Sequence, residues 1–235
     1  LVVNTCAFID SAKQESVDTI LELAELKKTG RCRKLVVTGC LAERYRGELQ
    51  AQIGEIDAVL GTGDVPDIVR AVTAPAEARP GAGVPVRLFR RAPSVSRPAG
   101  DAAALPEYLY DADTPRTLVT PRHYAYLKVA EGCDYACAFC IIPTLRGHYR
   151  SRAPESILTE ARHLADRGVR ELLLISQDTT FFGVDRGERG ALATLLRDLN
   201  RVDGLVWLGL LYLYPPTSTD GMLDAMAESE KVCNY

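Results

Sequence analysis

The sequence predicts an α/β protein made of two successive series of parallel βα units. Three observations carry this. Short apolar runs alternate with stretches of helical periodicity. Each run ends at a small or polar residue before the next helix begins. Between residues 73 and 121 the pattern gives way to a segment rich in Pro, Ala, Gly and Arg. The expected organisation is a parallel three-layer αβα domain at 1–74, a linker at 75–120 and the first half of a (β/α) barrel at 121–235. The chain starts inside an apolar run and closes on Lys231-Val-Cys-Asn-Tyr235, which opens another strand. Both domains are therefore expected to be truncated.

In the first series, Leu1-Val-Val-Asn-Thr5 reads as a buried strand that stops at Cys6. Asp10 or Ser11 caps a helix, with Ser11 and Gln14 spaced as a capping box. Val17, Ile20, Leu21 and Ala24 form its apolar stripe, Leu23 and Leu26 widen it, and Gly30 ends it. Lys34-Leu-Val-Val-Thr38 is the second strand, stopping at Gly39-Cys40. A helix follows over about Ala42 to Ile53. Asp57-Ala-Val-Leu60 is the third strand. Gly61-Thr-Gly-Asp64 then turns into a helix near Val65 to Val72; it lacks the third glycine of a dinucleotide fingerprint, so a tight turn capped by Asp64 is expected.

The linker, including the Arg-rich run Arg87-Leu-Phe-Arg-Arg91, is expected to be partly flexible and solvated. The second series opens with the strand Tyr124 to Val129, followed by a cysteine-bearing loop. A helix is expected from Pro154 to about Arg167, a strand over Glu171 to Ser176, a helix near Ala191 to Leu199, a strand over Leu205 to Tyr214 and a helix near Thr219 to Glu228. These units cannot close a barrel alone, so an open apolar edge is expected. In such folds functional groups gather at the C-terminal ends of the strands. Glu131, Gly132 and the cysteines, then Gln177 and Asp178, then Tyr212, Tyr214 and Pro215 should surround one mouth.

The 235 residues are 47% hydrophobic and 25% charged, an ordinary globular composition. The net charge of −3 gives no broad basic field, which argues against direct nucleic-acid binding. No apolar run approaches the roughly 18 residues that span a membrane. The first residues also lack a basic region before their apolar stretch, so no export signal is read. With clustered cysteines, this points to metal or redox chemistry in the cytoplasm rather than to disulfides.

The chemistry is concentrated in Glu131-Gly-Cys-Asp-Tyr-Ala-Cys-Ala-Phe-Cys-Ile-Ile-Pro143. Cys133, Cys137 and Cys140 are spaced C-x3-C-x2-C, with no fourth cysteine close behind. Thiolates are the usual ligands of a four-iron cluster. Three of them hold three corners and leave one iron open, the arrangement that substrate chemistry requires. A zinc knuckle or a set of buried thiols is the alternative, although this spacing is not one of the usual zinc pairings. Gln177 is positioned either to hydrogen-bond a cofactor or to cap the next turn. Arg146, Ser151 and Arg152 would either contact a bound cofactor or form exposed salt bridges. Cys6 and Cys40, each just after a strand at one sheet edge, either share a metal centre or serve as small buried hydrophobes. His123, His148 and His163 show no metal spacing.

The spacing of the three cysteines, with Phe139 before the last and Pro143-Thr-Leu-Arg-Gly147 after it, resembles the radical S-adenosylmethionine superfamily. That resemblance implies a [4Fe–4S] cluster whose open iron binds the amino and carboxylate groups of S-adenosylmethionine and whose electron yields a 5′-deoxyadenosyl radical. Phe139, Gln177, Ser151 and Arg152 are then the candidate cofactor-binding residues. Asn4-Thr-Cys-Ala-Phe-Ile-Asp10, Thr38-Gly-Cys-Leu-Ala-Glu-Arg44 and Leu60-Gly-Thr-Gly-Asp64 resemble the N-terminal domain of the methylthiotransferases within that superfamily. There three cysteines hold a second cluster; Cys6 and Cys40 match two of them, and the remaining ligand would lie ahead of residue 1. Cys32 and Cys233 fall outside the pattern.

Phe8-Ile-Asp-Ser-Ala-Lys-Gln-Glu-Ser16, Ile175-Ser-Gln-Asp-Thr179 and Leu211-Tyr-Leu-Tyr-Pro215 resemble the RimO-type branch, which acts on an aspartate of a small-subunit ribosomal protein. The resemblance implies two [4Fe–4S] clusters, S-adenosylmethionine, an electron donor such as flavodoxin, a monomer, and a separate substrate-recognition domain that this sequence does not include. The rival expectations are methylthiolation of a modified adenosine in tRNA and a non-catalytic metal-binding module with zinc at Cys133, Cys137 and Cys140.

Overall fold

The computed structural model describes residues 1–73 and 105–233. The run Arg87–Arg91 and most of the expected linker lie outside the described residues. Residues 105–120 carry no helix or strand. The structure divides into two compact units. One comprises Leu1–Tyr108 with Ala136–Arg146, and the other comprises Leu109–Tyr135 with Gly147–Tyr235.

The first unit runs β1 (Val2–Thr5), α1 (Asp10–Lys28), β2 (Val36–Gly39), α2 (Cys40–Gln52), β3 (Ala58–Leu60), a 3-10 turn at Val65–Asp67 and α3 (Ile68–Thr73). The strands form a parallel sheet in the order β1-β2-β3. Central β2 buries both Val36 and Val37, as a strand covered on both faces should. Val17, Ile20 and Ala24 of α1 pack into a core with Leu35, Leu41, Leu49 and Ile56. Leu21 departs from the expected stripe: it is 38% exposed, one step off the buried face.

The expected cap of α1 is also corrected. Asp10 is already helical, Ile9 occupies the cap position, and no side chain caps it. Asp10 pairs with Lys13, and the Gln14 amide donates to Asp18 at 2.8 Å, which leaves neither for a capping box. Helix α2 starts two residues earlier than expected, at Cys40, and is kinked at Tyr45. The Asp64 turn forms as expected: its carboxylate accepts from Gly61 N–H at 2.8 Å and pairs with Arg46.

The second unit contains β4 (Tyr124–Lys128), β5 (Ala130–Glu131), β6 (Arg150–Ser151), α5 (Pro154–Asp166), β7 (Glu171–Ile175), α6 (Ala191–Asn200), β8 (Trp207–Leu210) and α7 (Asp220–Glu228). The short helix α4 (Ile142–Arg146) belongs to the first unit. Strands β4, β7 and β8 form a parallel sheet in the order β4-β7-β8, and β5 pairs antiparallel with β6. Ala125 and Leu127, Leu172 and Leu174, and Leu208 face α5 and α6 through Ile157, Ala161, Leu164, Leu195, Leu196 and Leu199. Pairing continues beyond β8, because Leu208 bridges Val232 in parallel.

The strand expected over Leu205 to Tyr214 is only Trp207–Leu210. Its C-terminal end turns away because Thr179 captures two successive carbonyls, Leu211 O through Oγ1 at 2.7 Å and Tyr212 O through N–H at 2.9 Å. Tyr212 takes φ 59° there, which no strand accommodates.

Candidate metal centre

In the second unit, the β5–β6 pair brings together the two flanks of the cysteine loop, with Ala130 opposite Ser151 and Glu131 opposite Arg150. Gly132 has φ 83°, and a Cβ there would strike the His148 carbonyl, so the close backbone approach requires glycine. Cys133 N–H then donates to Gly147 O at 3.1 Å. Asp134 accepts from Tyr149 N–H at 3.3 Å and pairs with His148 Nδ1 at 2.8 Å. The flank carrying Cys133 is thus fastened by backbone and side chain.

In the first unit, Cys140 N–H donates to Cys137 O at 3.0 Å, so these two cysteines bracket one tight turn. Cys137 is exposed and Cys140 half-buried. Phe139, between them, is 85% exposed and does not pack into either core. The Ile142–Arg146 helix buries Leu145 among Leu41, Leu49 and Val59, and Leu145 O accepts from Thr62 Oγ1 at 2.5 Å. Arg146, expected near a cofactor or in a salt bridge, places its guanidinium 3.8 Å from Cys40 Sγ.

Cys6 and Cys40 emerge side by side. Thr5 pairs with Gly39 across β1 and β2, so the next residue on each strand is a cysteine at the same sheet edge. Parallel neighbours lie about 4.8 Å apart. Gly39 makes the sharp exit possible: it has φ 96°, and a Cβ would meet Asn4 Oδ1 at 2.5 Å and Thr5 O at 2.6 Å. Cys6 N–H donates to Ser16 Oγ at 3.1 Å, which in turn donates to Ala12 O. Both thiols are half-buried, and Cys40 packs against the edge of the first unit's core.

Asp178 joins the loops at the C-terminal ends of β7 and β8. It is 2% exposed. Its carboxylate accepts from Tyr135 Oη at 2.7 Å, Thr180 N–H at 2.9 Å and Thr217 Oγ1 at 3.4 Å, while its carbonyl accepts from Tyr149 Oη at 2.7 Å. Tyr135 lies between Cys133 and Cys137, and its ring meets Tyr214 edge-on at 5.4 Å. Burial, followed by the Asp178 hydrogen bond, pushes the Tyr135 phenol up to about 12, so it stays a donor. Burial raises Tyr149 as well, with the charges of Asp178 and Asp185 adding to it. Within the second unit, Tyr135, Asp178 and Tyr214 therefore meet at the C-terminal ends of β7 and β8.

The remaining candidates divide. Gln177 is half-buried, and its Oε1 is buried without a hydrogen-bond partner among the described residues. Such an acceptor is left for a bound donor or water. Ser151 and Arg152 point inward instead. Ser151 Oγ donates to Asp185 at 2.5 Å and accepts from Gly183 N–H at 2.8 Å. Arg152 is 1% exposed and binds Glu160 at 2.7 Å, Ser156 at 3.0 Å and Lys128 O at 2.7 Å. Sequence reasoning gave no role to Tyr135, Tyr149 or Asp185. A tyrosine inside the cysteine run was a usable signal for the first; nothing local marked the other two.

None of the seven cysteines is in a disulfide. The donor set suits an iron–sulfur cluster in its chemistry: thiols at the required sequence spacing, none of them in a disulfide. Among the described residues, no group of three His, Cys, Asp or Glu stands close enough to hold a metal ion. No helix among them is long and apolar enough to cross a membrane.

Residues 127–235 match the radical SAM superfamily, and residues 1–61 match the uncharacterized protein family UPF0004. The ribosomal protein uS12 methylthiotransferase RimO of Heliobacterium modesticaldum is 49% identical over 235 residues, covering 100% of this chain and 47% of that protein. Its counterpart from Koribacter versatilis is 47% identical over 259 residues, covering 100% and 51%. The chain spans about half the length of the curated relatives it matches. Among solved structures, the radical S-adenosylmethionine methyltransferase TsrM from Kitasatospora setae, with tryptophan and a SAM analogue bound, superposes with a TM-score of 0.55 at 18% identity. That match covers 98% of this chain and 46% of that one, and it supports the α/β fold. The similarity to these RimO proteins extends over the whole chain.

Proposed function

We propose that this chain forms the radical-generating part and the second-cluster site of a methylthiotransferase acting on the β-carbon of an aspartate in a small-subunit ribosomal protein. The observation that carries the reading is the C-x3-C-x2-C spacing inside the residues that match the radical SAM superfamily. Cys133, Cys137 and Cys140 hold the first cluster, and Cys6 and Cys40 contribute to the second. When bound, cluster and S-adenosylmethionine supply the one-electron chemistry that breaks a C–H bond too inert for acid–base catalysis.

The chain's own residues orient and enclose. Asp178 holds Tyr135, and through it the stretch between Cys133 and Cys137. Gln177, whose Oε1 has no partner among the described residues, would accept a hydrogen bond from bound S-adenosylmethionine, and the exposed Phe139 would contact it. Ser151 and Arg152 act as positioning residues that brace β6 and α5 beneath the loop. Arg146 donates to the sulfur of Cys40. The proposed organisation keeps a domain at 1–74, a linker at 75–120 and a partial barrel at 121–235, in a cytoplasmic monomer served by an electron donor such as flavodoxin.

The test is product identity. The reconstituted full-length protein, supplied with methyl-labelled S-adenosylmethionine, is given uS12 and unmodified tRNA in competition. Label on the aspartate of uS12 is the expected result. Label on tRNA alone would transfer the reading to the adenosine-modifying branch. Zinc uptake with no iron and no label would leave only a metal-binding module.

A further inference from the structure

We infer that Tyr212 is a substrate-contacting residue, whose left-handed backbone holds an exposed phenol ring at the mouth of the second unit to pack against the polypeptide carrying the target aspartate. The inference rests on the methylthiotransferase reading and extends it to a residue with no assigned role.

Among the described residues, Tyr212 is the one non-glycine with positive φ, 59°. A Cβ in that region crowds the following carbonyl, and glycine holds the other left-handed positions. Thr179 imposes the conformation by binding the carbonyls of Leu211 and Tyr212. Both contacts use main-chain oxygen, so a glycine at 212 would make them equally well. Among the described residues the ring recovers little contact in return, since Tyr212 is 66% exposed. A strained side chain that the fold does not use is a candidate for use by something outside it.

Its position supports this. Tyr212 follows β8 at the sheet end where Asp178, Tyr135 and Tyr214 gather, and Tyr214 is itself 47% exposed. The surroundings select the class of ligand. Residues 205–219 contain no Lys or Arg, leaving nothing on this segment to neutralise a phosphate backbone. Two rigid amphipathic rings beside Pro215, Pro216, Thr217 and Ser218 suit a peptide, offering flat apolar area with a hydroxyl at its rim.

The experiment compares Tyr212→Phe, Tyr212→Ala and Tyr212→Gly in the full-length protein. Four quantities are read: melting temperature before reconstitution, anisotropy of a fluorescent peptide copying the target loop of uS12, and KM and kcat for uS12 after reconstitution. Tyr212→Gly should melt about 2–4 °C above the wild type as strain is released. In Tyr212→Ala and Tyr212→Gly the peptide Kd and the KM should both rise by about tenfold, with a smaller change in kcat, while Tyr212→Phe stays within about threefold. Unchanged Kd and KM in the Ala and Gly variants would overturn the inference, as would weakened binding of a tRNA anticodon stem-loop with peptide binding intact. A wild type that modifies no ribosomal protein would instead overturn the functional reading.

Discussion

Tyr135 donates its phenol proton to Asp178 across 43 residues of sequence, at 2.7 Å. The contact ties a residue between two cysteines of the loop to the C-terminal end of β7. The Asp178 carboxylate also holds Thr180 and Thr217, and its main-chain carbonyl holds the Tyr149 hydroxyl. One buried carboxylate therefore sets the geometry of three loops.

Removing that carboxylate should be costly. Asp178→Ala leaves Tyr135 Oη and Thr180 N–H without their carboxylate acceptor and should lower stability by about 2–4 kcal/mol. Tyr135→Phe keeps the ring contacts with Phe181 and Tyr214 and removes one bond to a charged group, so the loss should be about 1.5 kcal/mol. Urea denaturation under anaerobic conditions measures both. Equal losses in the two variants would deny Asp178 its central role.

Alkaline stability follows from the same tyrosines. Tyr135 is pushed up to about 12 from an ordinary 10.0, and Tyr149 is raised too. A group whose folded pKa exceeds its unfolded value contributes fully below the unfolded value and loses that contribution as pH rises through the folded one. Stability attributable to these phenols should be constant up to about pH 9 and fall between 10 and 12. The midpoint of urea unfolding, followed against pH, should decline less steeply over that window in Tyr149→Phe than in the wild type.

The buried pair of Arg152 and Glu160 gives a separate prediction. Arg152→Ala strands a carboxylate that is 8% exposed, although Arg116 still reaches it at 2.7 Å. The expected loss is about 3–5 kcal/mol. Arg152→Met with Glu160→Leu should recover most of it, as seen in chemical denaturation.

Gly39→Ala should destabilise the first unit by roughly 2–4 kcal/mol, because φ 96° and the approach of Asn4 and Thr5 leave no room for a Cβ. Gly30→Ala, with φ 72° but open space around it, should cost only about 1 kcal/mol. Hydrogen exchange of β1 and β2 amides would localise the difference.

The alternation of elements was legible because buried strands and amphipathic helices leave strong periodicities. Residues 2–5, 36–39, 171–175 and 191–200 fall within a residue or two of expectation. The strand expected through Tyr214 was not, because its end is set by Thr179, a partner more than thirty residues away. The cysteines were legible as a local spacing, and the adjacency of Cys6 and Cys40 as a consequence of two parallel strands. The inward engagement of Ser151 and Arg152 was not legible, since Asp185 and Glu160 reach them only through the fold. Polar residues after a metal motif look alike in sequence whether they face a ligand or the core.

The central claim is that Cys133, Cys137 and Cys140 together generate the radical. It is tested most directly by anaerobic iron–sulfur reconstitution of the full-length protein and of its Cys133→Ala, Cys137→Ala and Cys140→Ala variants, followed by reduction and measurement of 5′-deoxyadenosine released from S-adenosylmethionine. The wild type should release it. Each variant should release none, while keeping a wild-type circular dichroism spectrum and the iron bound at the other site. Undiminished release from any one of the three variants would contradict the account.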